Sequence, residues 1–148
     1  MWHQTKERDG GLSERYDPWE HCAQLGLRVI RRDLRKPHRA LWHPPSRTVI
    51  LERSLSQRER RCSLAHEIVH VERGDECRQA ARVEVAVHAV AARRLVTLEE
   101  LVAGLRWTKS PHVLADELWV DVPTLECRVD SLTDHERLWI DERLAAAA

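Results

Sequence analysis

The chain has 148 residues with 24 basic and 24 acidic side chains, so no global field draws it toward nucleic acid or an anionic membrane. That length supports one domain with a core of its own. No apolar run is long enough to cross a bilayer and no export pattern opens the chain. The four cysteines, Cys22, Cys62, Cys77 and Cys127, lack C-x-x-C spacing, so reduced thiols in a cytoplasmic protein are expected.

Residues 1–15 are polar, carry Gly10-Gly11 and show no periodicity, which predicts a flexible arm before a single domain over 16–148. Asp17-Pro18 with Glu20 is helix-start chemistry, and Gly26 stops that helix. Three short runs with β-branched or alternating apolar residues follow, LRVIRRDL, RALWH and RTVILE, separated by Lys36-Pro37 and Pro44-Pro45. They predict a small three-stranded sheet. Ser56-Gln57-Arg58-Glu59 is a capping box and Gly74 a stop, so a helix is expected over roughly 57–73. Asp75 is the expected cap of the next helix, and Thr97, Ser110-Pro111, Pro123 and Thr133 mark the starts of four more. The order, a small sheet followed by helices, predicts an α+β fold with a C-terminal helical subregion over about 97–148. With six tryptophans and no phenylalanine, tryptophan is expected to fill the core, except Trp2 on the arm, which is a candidate partner contact.

The expected helix over 57–73 carries His66-Glu67-Ile68-Val69-His70, an H-E-x-x-H pattern. Residues four apart share one helix face, so His66 and His70 can hold one metal ion. Glu67 is rotated away from them, where a carboxylate can act as general base toward a water without filling a coordination position. A catalytic site needs a third protein ligand. Glu84 lies fourteen residues beyond His70 on the next helix, past a reversal at Gly74-Asp75, and an antiparallel helix pair can bring it opposite the histidines. His88 shares its face. Two polar residues within VEVAVHAVAA need partners if buried. His88 can orient a ligand by hydrogen bonding from outside the coordination sphere, or serve as a ligand in place of Glu84.

The segments RRCSLAHEIVHVERGD and EVAVHAVAARRLV, with YDPWEHCAQLGLRVI and LWHPPSRTVILERSL upstream, resemble the ImmA/IrrE family of metallopeptidases from about Tyr16 to Arg137. The resemblance implies a zincin-like helix pair, a Zn2+ cofactor held by His66, His70 and Glu84, and Glu67 as general base. The chain departs from the family pattern at His88, where asparagine or aspartate is usual. The resemblance also implies a protein substrate, a helix-turn-helix repressor whose cleavage or inactivation derepresses a mobile element, prophage or stress regulon. An edge strand such as TVILE would hold the substrate by β-augmentation.

Other readings accompany this one. Cys62 shares the stripe of His66 and His70, and with Cys77 would make a closed Cys2His2 site that leaves Glu67 idle. Residues 113–132 have a helix-turn-helix outline, yet the second helix carries Glu126 and Asp130 around Arg128, which suits packing better than a DNA groove. Tyr16 and His112 would stabilise an oxyanion only if folding brought them to the metal. Cys22 and Cys127 read as core. A non-catalytic module that inactivates its repressor by contact alone is the remaining alternative.

Overall fold

A computed structural model of the chain describes residues 14–74 and 80–146. Of the expected arm over 1–15, residues 1–13 with Trp2 lie outside the described residues, as do Asp75 and Cys77. Helix α1 (Pro18–Gln24) leads into strands β1 (Arg28–Arg32), β2 (Ala40–His43) and β3 (Thr48–Glu52), with a 3-10 turn over Pro44–Ser46. Helices α2 (Gln57–Arg73), α3 (Ala81–Leu95), α4 (Leu98–Leu105), α5 (Pro111–Glu117), α6 (Val122–Asp130) and α7 (Asp134–Ala146) follow. The α+β expectation stands.

The local chemistry explains most of the boundaries. Asp17 accepts hydrogen bonds from the backbone of Trp19 and Glu20 at the start of α1. Ser56 and Glu59 close a reciprocal capping box on α2, and Thr97 and Glu100 do the same on α4. Gly74 ends α2 with φ 66°, a left-handed conformation that glycine adopts without a Cβ penalty. Helix α6 starts slightly earlier than its proline suggests, because Asp121 is the cap and accepts from Thr124 N.

The sheet order corrects one expectation. The strands run β1-β3-β2, with β1 parallel and β2 antiparallel to β3. TVILE is therefore the central strand, paired on both sides, and cannot receive a further strand. Its burial requires this: Val49 and Leu51 are completely covered, as suits the middle of a small sheet.

Helix α2 lies between two apolar clusters. Leu64 and Ile68 pack with Cys22, Leu27, Val49 and Leu51 over the sheet. Cys62, Ala65 and Val69 join Val87, Ala91 and Leu95 of α3 and the leucines and valines of α4–α6 on the other side. Each fully buried aliphatic side chain contributes about 1.5–3 kcal/mol, so the rotational setting of α2 is strongly fixed.

Tryptophan does not fill this core. No described tryptophan is buried, and Trp107 is 88% exposed. Leucine, valine, isoleucine and alanine fit the narrow spaces between short helices, and the indoles sit at the periphery. Trp119 occupies the left-handed position after α5 (φ 58°), where Val120 N reaches back to Ala115 O and Trp119 N to Asp116 O. This is a helix-ending turn usually given to glycine.

Buried Arg61 ties these pieces together. Its guanidinium donates to the carbonyls of Tyr16 (2.9 Å), Trp119 (2.9 Å) and Leu118 (3.4 Å), joining α2 to the chain before α1 and to the turn after α5. Truncation leaves these carbonyls without their donor. Arg61→Ala is expected to lower unfolding stability by about 3 kcal/mol. The readout is an earlier urea midpoint with an unchanged slope. Arg61→Lys should recover less than half of the loss, because an ammonium cannot reproduce the planar fork.

Candidate metal centre

The third face of α2 is polar and opens on a cleft of about 1020 Å³. Its walls come from four elements: Pro37–Leu41 leading into β2, the α2 face with Cys62, His66, Glu67 and His70, α3 with Glu84 and His88, and α6 with Thr124, Glu126, Cys127 and Asp130. Glu67 and His70 are buried, an uncommon state for such groups without compensating partners.

Folding brings His66, His70, Glu84 and His88 together. His70 Nε2 lies 2.7 Å from Glu84 Oε1, and His66 Nε2 lies 3.1 Å from Glu84 Oε2. His88 Nε2 is 3.9 Å from Glu84 Oε2, longer than a hydrogen bond. The His66 ring centroid is 4.9 Å from that of His70 and 4.3 Å from that of His88. Donor atoms of His66, Glu84 and His88 all lie within 4.8 Å of one another. Buried Nδ1 atoms of His66 and His70 have no hydrogen-bond partner, so both rings interact through Nε2.

This donor set fits a divalent cation. Ligands about 2.0–2.2 Å from a tetrahedral zinc ion lie roughly 3.4 Å from one another. The separations of 2.7 and 3.1 Å across Glu84 are hydrogen-bond lengths, shorter than that figure, so these side chains would part slightly around an ion. Two imidazoles and a carboxylate are also the donor chemistry that zinc accepts. Burial, reinforced by the neighbouring His88, holds the His66 pKa down at about 4 despite the opposing pull of Glu84, so the ring is neutral near pH 7 and keeps a nitrogen lone pair for a metal.

The other sequence candidates fall elsewhere. The Tyr16 hydroxyl hydrogen-bonds His21 Nδ1 at 2.7 Å, and burial raises its pKa to about 12. Neither Tyr16 nor the exposed His112 lines the cleft. Cys62 is buried on the cleft wall, its proposed companion Cys77 lies outside the described residues, and the group of mutually close donors is His66, Glu84 and His88, with His70 joined to it through Glu84. Cys127 is partly exposed on the cleft wall instead of in the core.

The wall formed by α6 was not anticipated from the sequence. Helix α6 packs on α3, buries Leu125 and Arg128, and presents Glu126 and Asp130 to the cleft. Arg39, at the start of β2, bridges Glu59 (2.8 Å) on α2 and Asp121 (3.3 Å) at the α6 cap. Its only sequence signal was the capping position of Asp121 before Val122-Pro123. Behind the site, Arg94 of α3 grips both oxygens of Glu72 of α2 at 2.7 and 3.0 Å, a planar pairing that aligns the two helices.

A helix-borne H-E-x-x-H facing a carboxylate on the following helix defines a metallopeptidase-like class. A family model for peptidase M78, the IrrE N-terminal-like domain, matches residues 22–106, more than half of the chain, which belongs to that family. The matched segment runs from within α1 to the end of α4 and includes the whole histidine–glutamate cluster. No curated protein and no solved structure matches the chain.

The depressed pKa of His66 has a consequence for the metal-free protein. The unfolded chain takes up a proton at His66 near pH 6.5, whereas the folded chain resists until about pH 4. Protons therefore favour unfolding across that window, and stability falls as pH drops from 6.5 to 4. In chelator, His66→Gln is expected to flatten this part of the profile, removing a loss on the order of 2–3 kcal/mol. Urea unfolding at several pH values measures it, and parallel wild-type and variant profiles would contradict the assignment.

Proposed function

We propose that the chain is a zinc-dependent endopeptidase in which His66, His70 and Glu84 hold the metal and Glu67 is the general base. The convergence of His66 and His70 on the two oxygens of Glu84 supports this reading most directly. A bound zinc ion supplies Lewis acidity toward water and a peptide carbonyl.

The remaining tasks fall to the chain. Glu67 follows His66 on α2, so its carboxylate is rotated off the ligand face while still lining the cleft. It takes a proton from the attacking water and delivers it to the leaving amide nitrogen, as one carboxylate can in two successive steps. The helix fixes its distance from the ligands, so geometry supplies much of the catalysis.

The cleft suits an extended peptide. Strand β2 pairs with β3 on one side only, and its other edge has no partner strand among the described residues. Ala40 and Leu41 of β2 line the cleft, so a substrate segment can add to that edge beside the metal ligands. In this reading the substrate is an extended loop or linker of a helix-turn-helix repressor in the cytoplasm, and its cleavage relieves repression of a mobile element, prophage or stress regulon. The acids that α6 turns to the cleft, Glu126 and Asp130, argue against a DNA-reading role for residues 113–132.

The test is incubation of the full chain with the repressor encoded beside it, with and without chelator, followed by intact-mass measurement. Glu67→Ala is expected to retain stoichiometric zinc while cleavage slows by about 10²–10⁴-fold. Full derepression by that variant in cells would instead establish an anti-repressor that works by contact. Loss of zinc binding by Glu84→Ala is expected, and zinc retained at wild-type affinity would remove Glu84 from the ligand set.

A further inference from the structure

The cluster around Glu84 holds more donors than an open catalytic site needs. A catalytic zinc ion keeps three protein ligands and one exchangeable position, whereas a structural one takes four. Here three imidazoles surround one carboxylate: His70 faces Oε1, while His66 and His88 both face Oε2. His88 differs from the others in its freedom. Its side chain is 60% exposed, whereas those of His66 and His70 are 16% and 2% exposed. Its 3.9 Å separation from Glu84 is too long to fix that carboxylate by a hydrogen bond. One of its ring nitrogens nevertheless belongs to the group of donors within 4.8 Å of one another.

We propose that His88 is a displaceable fourth ligand that closes the metal site in the resting protein and leaves when substrate or a partner occupies the cleft. This rests on the zinc-peptidase reading above. An imidazole one turn beyond Glu84 on α3, beside the His66 ring and 60% exposed, has room to turn toward a cation held there. Withdrawal transfers no electrons. The His88 lone pair leaves the cation and an oxygen lone pair of water or a peptide carbonyl takes its place. The protein would then be stable in its loaded form yet slow to act until the cleft is filled.

Two binding measurements on the full chain test this, neither of which needs a cleaved substrate. Zinc affinity is read by competition with a coloured chelator, and access to the open position by titrating the cobalt-loaded protein with acetohydroxamate while following the visible spectrum. His88→Asn is expected to weaken zinc binding by about tenfold and to tighten hydroxamate binding by about tenfold, because one donor is lost and one position is vacated. His88→Gln should behave alike, and circular dichroism should be unchanged, given the exposure of the side chain. Weaker zinc binding without tighter hydroxamate binding would make His88 a supporting residue and overturn the proposal, as would no change in either. Wild-type protein that binds no zinc would overturn the metallopeptidase reading itself, whereas zinc held equally well by wild type and His88→Asn overturns only the fourth-ligand role.

Discussion

The burial of α2 on two sides is the constraint on which the rest of the molecule depends. Leu64 and Ile68 commit one face of the helix to the sheet, and Ala65 and Val69 commit another to α3 and its neighbours. With both faces filled by close-packed aliphatic groups, α2 cannot rotate without opening cavities in one cluster or the other. The remaining face, with His66, Glu67 and His70, is therefore held toward the cleft by contacts in which those three residues take little part. Arg61 at one end and the Glu72–Arg94 pairing toward the other add polar restraints to the same setting.

Placing polar groups on a helix buried this deeply has an electrostatic cost, and the arrangement around Glu84 limits it. Three imidazoles face one carboxylate, and a proton on the mostly buried His66 ring is opposed by desolvation and by the neighbouring His88. A divalent cation would interact with the carboxylate and the ring nitrogens together, which protons on separate rings cannot do. The same crowding places the His88 imidazole beside His66 and Glu84.

The helices after α3 complete the cleft. Val96, Leu101, Leu114, Leu118 and Leu125 make them one continuous core with α2 and α3, although the family match ends at residue 106. Helix α6 turns its buried Leu125 and Arg128 inward and its acids toward the cleft, so the helix-turn-helix outline of α5 and α6 is used to build a wall. Arg39 links that wall to the rim of the sheet through Asp121 and to α2 through Glu59.

The sequence determined those features that short-range chemistry controls. Ser56, Glu59 and Gly74 set both ends of α2, and Thr97 with Glu100 set the start of α4, because capping groups act within three or four residues. The i, i+4 spacing put His66 and His70 on one face for the same reason. Glu84 could be nominated as their partner, but only the packing of α3 on α2 brought its two oxygens to within 2.7 and 3.1 Å of them. Strand order was beyond local reading: the three strands had similar composition, and the central place of β3 follows from pairing with β1 in parallel across a long connection. The tryptophans misled because hydrophobicity does not reveal the size of the space available, and the gaps between these short helices accept leucine and alanine. Likewise, the α6 wall and the approach of His88 to His66 depend on contacts between segments distant along the chain, and only the tertiary structure decided them.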